Sequence, residues 1–215
     1  MKRKGYIFDM DGTLVDNVRY HVMAWKSFSA KYGNELSEER ILAGMGKTNR
    51  IFQEWILGRS VTDEESARLS EEKESLYREL FAPHMKLPAG LREILDLAHG
   101  KGIPCAVATG APRSNVNFLM DGLSIRDDFA ALVDETKYTH CKPDPECFLT
   151  AAQMLNCCPE DCTVFEDAVP GVKAGKAAGM RVVCVTFTHS KEFLLGAGAD
   201  LVFDSYLEMK GALGL

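Results

Sequence analysis

In Gly5-Tyr6-Ile7-Phe8-Asp9-Met10-Asp11-Gly12-Thr13 an apolar run meets two carboxylates one residue apart, and glycine follows at once. A short apolar run of β-formers bounded by glycine reads as a buried strand. Side chains two residues apart share a face of a strand, so Asp9 and Asp11 start out pointing the same way. Gly12 lets the chain turn there, which leaves both acids at the carboxyl end of the strand. In an open parallel α/β sheet that end is where ligands bind. Two acids there can hold a cation, or divide nucleophilic and proton-transfer work between them. The spacing alone fits a turn-capping Asp pair equally well, so the remainder of the chain decides.

The 215 residues suffice for one ordinary domain with a smaller one inserted. Hydrophobic residues make up 46% and charged residues 26%, a globular balance with enough apolar surface for a sizeable core. A net charge of −6 without a basic stripe argues against a nucleic-acid partner. Lys2-Arg3-Lys4 leads straight into the strand rather than into an apolar signal region. No apolar run approaches the roughly 20 residues that span a bilayer, so no membrane partner is expected. Seven cysteines, an odd count, point to reduced thiols and a cytoplasmic setting. Cys157-Cys158 with Cys162 lacks the second paired cluster of a metal finger and reads as buried or surface thiols.

Beyond Thr13 the pattern becomes helical. Val22, Trp25, Phe28 and Tyr32 recur at steps of three and four, and Gly33 closes that segment. Ser37 with Glu38 and Glu39 opens a short helix, Thr48 can cap another carrying Phe52 and Ile56, and Thr62-Asp63-Glu64-Glu65 has the form of a capping box. Residues 16–83 therefore read as an all-helical insert, with 1–15 and 84–215 as the main domain. After Leu87-Pro88-Ala89-Gly90, strands at 103–108, 130–133, 163–165, 181–185 and 200–203 alternate with helices at 91–100, 114–120, 145–155 and 172–178. That alternation implies a doubly wound parallel sheet, an α/β fold.

Further strand ends carry polar residues. Thr109, followed by Gly110 and Ala111, offers a hydroxyl and open backbone N–H groups that suit a phosphate, although Thr at a strand end is commonly a turn residue. Lys142 in Cys141-Lys142-Pro143-Asp144-Pro145 is a charge held between a loop and a helix start at Pro145; a solvated lysine is the commoner case. Glu166-Asp167 ends an apolar strand, and a divalent cation bound through oxygen is the natural partner for two such acids.

These motifs, in this order, resemble the haloacid dehalogenase superfamily, in its phosphatase-like members with a small helical cap after the first motif. The resemblance covers essentially the whole chain and implies a Rossmann-like core with the inserted cap. It implies that Asp9 attacks phosphorus to form an aspartyl-phosphate, and that Asp11 protonates the leaving oxygen and then takes a proton from water. Magnesium (Mg2+) would be held by Asp9, the backbone carbonyl of Asp11, and Asp167, with Glu166 assisting directly or through water. Thr109, Lys142 and the Gly110 N–H, with Ala111 beside it, would hold phosphoryl oxygens, and Thr13 would order the turn.

Within the superfamily the chain looks closest to the β-phosphoglucomutase-like and sugar-phosphate phosphatase branch. Asn17, Tyr20, His21 and Trp25 match its first cap helix, the loop from Gly44 to Asn49 with Lys47 matches its substrate loop, and Lys73 falls near its cap lysine. A cap of this kind would close over the site and choose the leaving group. His21 would then stand near Asp11, unless it is an ordinary helix residue beside the hinge. Three departures weigh against a mutase: Lys47 where an arginine is usual, Asn17 where a threonine is usual, and Ala43 where a lysine is usual. A lysine cannot make the bidentate fork that holds a distal phosphate. The expectation is a magnesium-dependent phosphatase of small phosphorylated metabolites, sugar phosphates foremost, with β-phosphoglucomutase as the alternative. A non-catalytic scaffold would have lost one of Asp9, Asp11, Lys142 or Asp167, and a dehalogenase would need neither Asp11 nor a magnesium site. With no heptad or large apolar patch evident, a monomer is expected.

Overall fold

The computed structural model describes residues 4–45 and 48–212, which fall into two compact units: the described residues between 17 and 85, and the described residues on either side of them. The larger unit is built on six parallel strands in the order β3-β2-β1-β4-β5-β6: β1 (Gly5–Phe8), β2 (Cys105–Ala108), β3 (Ala131–Val133), β4 (Cys162–Glu166), β5 (Arg181–Val185) and β6 (Leu201–Phe203). The strands read as continuous apolar runs because both faces of a parallel sheet are covered. On one face Ile7, Ala106, Val133, Val164, Val182 and Cys184 join a single core with Cys147, Phe148 and Ala151 of helix α7 (Glu146–Met154) and Val172 and Ala174 of α8 (Val169–Ala177). On the alternate positions aromatic rings stack: Phe8 lies over Phe165 at 4.3 Å and meets Phe129 edge-on at 6.0 Å.

The chain leaves β1 for β2 and β3 on one side, then crosses to β4 on the other. The carboxyl ends of β1 and β4 thus flank a topological switch point, the crevice where open α/β sheets bind ligands. The first motif and the Glu166-Asp167 pair stand at those two ends.

The smaller unit is helical: α1 (Val18–Lys31), α2 (Glu38–Gly44), α3 (Asn49–Leu57) and α4 (Asp63–Phe81). Val22, Trp25, Phe28, Ile41, Phe52, Ile56 and Leu69 form its core. Buried Gln53 is satisfied within it, donating to Ser66 O (3.1 Å) and Ser70 Oγ (2.9 Å) and accepting from Ser66 Oγ (2.7 Å). Ser37 caps α2 as anticipated, accepting from the Arg40 N–H. The capping box at Thr62 is half made. Thr62 Oγ1 accepts from the Glu65 N–H, but the Glu65 carboxylate turns to a bidentate pair with Arg59. Thr48 occupies its N-cap position without a side-chain bond.

Three local readings are corrected. Helix α6 (Arg113–Gly122) starts one residue before the expected 114, after the N-cap Pro112, and runs two residues past 120. Pro145 is the N-cap of α7, not its first helical residue. Helix α8 begins at Val169, because Pro170 sits in its first turn, where a missing N–H costs nothing. Two short helices also lie where no element was expected: α9 (Lys191–Gly196) and α10 (Tyr206–Ala212). Both carry cap signals. Ser190 Oγ accepts from the Phe193 N–H, while the Glu208 N–H donates to Ser205 Oγ and the Glu208 carboxylate accepts from the Asp204 N–H.

Gly90, at the start of α5 (Leu91–Gly100), has φ +92° and lies against α10: a Cβ there would stand 2.5 Å from Leu207 N. Both the left-handed backbone and the fixed main-chain neighbour exclude a side chain. Gly90→Ala is expected to cost about 2 kcal/mol or more, lowering the urea midpoint with little change in its slope.

Candidate active site

Asp9 continues the pleat of β1, its N–H donating to Phe165 O (2.9 Å), so its side chain takes the face of Ile7, toward α7. There the carboxylate meets Lys142, whose Nζ lies 2.6 Å from Asp9 Oδ1 and 2.7 Å from Glu166 Oε1. Lys142 is carried on the loop before α7, with its ammonium 4.6 Å from the centre of the Phe148 ring. That ring belongs to the buried core, so the lysine is set on a rigid support.

After Asp9 the chain turns sharply. The Leu14 N–H donates to Met10 O and the Gly12 N–H to Val15 O, both at 2.9 Å. Gly12 has φ +80°, and a Cβ there would stand 2.1 Å from Asp167 Oδ2. Glycine at position 12 therefore serves twice, making the turn and admitting the carboxylate of β4. Asp11 is half-exposed beside this turn, and its charge acts on Asp9. Thr13, fully buried, donates its hydroxyl to Asp167 Oδ1 (3.1 Å).

At the end of β4 both acids are buried. Glu166 Oε2 accepts from the Asp167 and Ala168 N–H groups, each at 2.9 Å, while Oε1 accepts from Lys142. Gly171 makes room for this carboxylate: a Cβ would lie 1.6 Å from Oε1. Asp167 Oδ2 accepts a hydrogen bond from Thr188, on the loop after β5, so each oxygen of this acid is steered by a threonine hydroxyl. Thr188 was not anticipated, since an isolated Thr in a loop carries no sequence signal. Tyr206 was likewise unforeseen; from α10 its hydroxyl donates to Thr13 O (3.2 Å) and ties down the turn.

The electrostatics follow from this crowding. The Asp9 carboxyl is pushed up to about 7 in all: burial raises it most, Lys142 pulls it down, and Glu166 and Asp11 push it up. Burial raises Asp167 well above the carboxylate range, helped by Glu166 and Asp9 and opposed by the Thr188 and Thr13 hydroxyls. For Lys142, burial would lower the pKa, but Asp9 and Glu166 override it and hold the ammonium charged. The carboxylates of Asp9, Glu166 and Asp167 offer oxygens within 4.8 Å of one another, and one ammonium does not neutralise them. An all-oxygen set with excess negative charge fits a hard divalent cation such as magnesium and disfavours a soft one. The Asp11 carboxylate is not part of that group.

At the end of β2, Thr109 Oγ1 accepts from the Ala111 N–H (3.1 Å), so that N–H serves the turn while the hydroxyl proton of Thr109 remains to donate. Tyr138 donates to Thr109 O (3.1 Å), and beside Gly110 a Cβ would meet only the Tyr138 hydroxyl, at 3.6 Å.

The helical-unit residues singled out from the sequence form their own cluster. Lys73 Nζ lies 2.8 Å from His21 Nδ1, 3.0 Å from Glu74 Oε1, and 4.9 Å from the centre of the Trp25 ring. An ammonium has no acceptor, so opposite a charged Lys73 the His21 Nδ1 is the accepting atom. His21 stacks on Tyr77 at 3.7 Å, and Trp25 stacks on Phe52 at 4.4 Å as part of that unit's core. Trp25, expected at the substrate, packs in that unit's core, and Lys73 is buried against His21 and Glu74. Lys47 lies outside the described residues.

A model of the haloacid dehalogenase-like hydrolases matches residues 3–179. The chain belongs to this family. Among curated relatives it is 34% identical over 209 residues to the beta-phosphoglucomutase of Bacillus subtilis, covering 93% of this chain and 88% of that one. It is 33% identical to the fructose-1-phosphate phosphatase YqaB of Escherichia coli, over 84% of this chain and 95% of that one. Among solved structures, a HAD hydrolase, family IA, variant 3, from Entamoeba histolytica superposes with a TM-score of 0.89 at 26% identity, covering 95% of this chain and 94% of that one.

Gly171→Ala separates two opposed effects. Alanine should favour helix α8 by about 1 kcal/mol. It would also drive Glu166 off its two N–H donors and off Lys142, which should cost about 2–3 kcal/mol. The expected outcome is net destabilisation in urea together with loss of turnover; a stabilised, active variant would contradict the Glu166 geometry.

Proposed function

We propose that this chain is a magnesium-dependent phosphatase of small phosphorylated sugars that works through an aspartyl-phosphate on Asp9. The observation that carries the reading is the buried Asp9 carboxylate, joined by Lys142 to Glu166, at the mouth of the switch point and beside Asp167. In the first half-reaction an Asp9 oxygen forms a bond to phosphorus as the bond to the sugar oxygen breaks, and Asp11 gives that oxygen its proton. In the second, Asp11 takes a proton from water as the water oxygen bonds to phosphorus, releasing phosphate and restoring Asp9. Lys142, fixed by two carboxylates and the Phe148 ring, and the Thr109 hydroxyl present positive charge and a donor to the transferring oxygens. Asp9 and Asp167, the Asp11 backbone carbonyl, and Glu166 directly or through water, would hold the magnesium. When bound, the ion offsets the phosphate charge and lets two anions approach each other. Asp167 suits this role because its hydroxyl donors leave lone pairs on both oxygens. Glu166, already accepting from Lys142 and two N–H groups, suits the holding of Lys142 at least as well.

Hydrolysis is preferred to mutase chemistry because a mutase must also hold a distal phosphate. In the helical unit Arg50 pairs with Asp63, Arg40 lies over the Trp55 ring and Lys73 is buried against Glu74 and His21. The names of the relatives cover both chemistries, so product analysis decides.

Phosphate release should be measured on a hexose phosphate panel that includes fructose 1-phosphate and β-glucose 1-phosphate. Turnover should require magnesium, vanish with a chelator and return when the metal is restored. Asp9→Asn should lose about 10³-fold or more in kcat; wild-type turnover by the purified variant would sink the mechanism. Glucose 6-phosphate formed from β-glucose 1-phosphate without matching phosphate release would make the enzyme a mutase instead.

A further inference from the structure

The turn between α7 and β4 carries Cys157 and Cys158 and leads into Cys162, the first residue of β4. Cys162 is buried, Cys157 partly exposed and Cys158 exposed. The Cys162 thiol donates to Cys158 O (3.3 Å) and the Cys157 thiol to Leu155 O (3.5 Å), so both are held within the same turn. Both sulfurs press on Gly5 of β1, the register partner of Cys162: a Cβ at Gly5 would stand 3.1 Å from Cys157 Sγ and 3.2 Å from Cys162 Sγ. Gly5 has an ordinary backbone here, so its lack of a side chain serves to admit this sulfur pair. Cys158 directs its sulfur elsewhere, to the carboxylates of Glu160 and Asp161.

We propose that Cys157 and Cys162 form a reversible disulfide under peroxide, a modification site independent of the phosphatase reading. Two sulfurs that border the same small space beside Gly5 lie within reach of each other by side-chain rotation. The two differ in a way that orders the steps. Burial holds the Cys162 thiol protonated, with a pKa pushed up to about 12, so the partly exposed Cys157 meets the oxidant first. The Cys157 sulfur, as thiolate, takes one oxygen from hydrogen peroxide; the O–O bond breaks, and with a proton the second oxygen leaves as water. The resulting sulfenic acid is then attacked by the Cys162 sulfur. The S–S bond forms, the S–O bond breaks, and the hydroxyl leaves as water with the Cys162 proton. Two thiols are oxidised by two electrons in all, and one peroxide is reduced to two waters. Cys162 thereby stops Cys157 from climbing to the sulfinic acid, from which a thiol cannot recover it. The link lies at the amino ends of the strands, opposite the carboxylates.

The test treats the reduced full chain with hydrogen peroxide, alkylates it, cleaves after Glu160 without reduction, and maps the peptides by mass. A Cys157–Cys162 link should appear in the wild type and in Cys158→Ser, vanish in Cys157→Ser, and be undone by dithiothreitol. In Cys162→Ser, Cys157 should instead accumulate as sulfinic acid. The proposal fails if no such link forms, if Cys158 supplies the partner in the wild type, or if Cys157 is over-oxidised equally with and without Cys162.

Discussion

One lysine among three buried carboxylates sets the terms for the rest of the larger unit. Removing a charged group from water costs several kcal/mol, and opposite charges near contact recover a comparable amount at an effective dielectric of about 20. Lys142 with Asp9 and Glu166 therefore roughly breaks even, and the charged form of Asp167 is disfavoured by burial and by its two acidic neighbours. Stability alone gives no reason to bury such a set, and an apolar core of equal volume would serve better. What the arrangement achieves is a fixed field at the point where the central strands end, which a divalent cation and a phosphate can complete.

The surrounding residues make that field possible by yielding space or donating protons. Gly12 and Gly171 stand where any side chain would overlap a carboxylate, so both acids of β4 reach their places only because these two positions are bare. The N–H groups at the start of α8 hold Glu166, and the hydroxyls of Thr13 and Thr188 hold Asp167 from opposite sides. The acids are oriented by backbone and hydroxyls, while the single ammonium bridges β1 to β4.

Much of this was legible in the sequence, and the limits are physical. The D-x-D-G turn, the apolar strands and the helix after Pro145 are local signals, and the parallel sheet follows from their alternation. Strand starts read one or two residues early, as at Ile103 and Ala130, because apolar character extends past the hydrogen-bonded ladder. Helices α9 and α10 are only six and seven residues long, too short for periodicity to register, although Ser190 and Ser205 carry their cap chemistry. Thr188 and Tyr206 reach the site across the fold, and no spacing along the chain encodes such a contact. Trp25 carries a different lesson: its position in a matching helix suggests a ligand role, and its ring also packs in the core of its own unit, which the helical period alone explains.

The bond from the Tyr206 hydroxyl to the carbonyl of Thr13 joins residues 193 positions apart. The turn that carries Asp9 and Asp11 is made early in synthesis, whereas the ring that anchors it is added only after all six strands have been translated. The two acids are thus in the chain long before the hydroxyl that ties down their turn. The order of that turn therefore depends on the docking of α10, a helix remote from it along the chain.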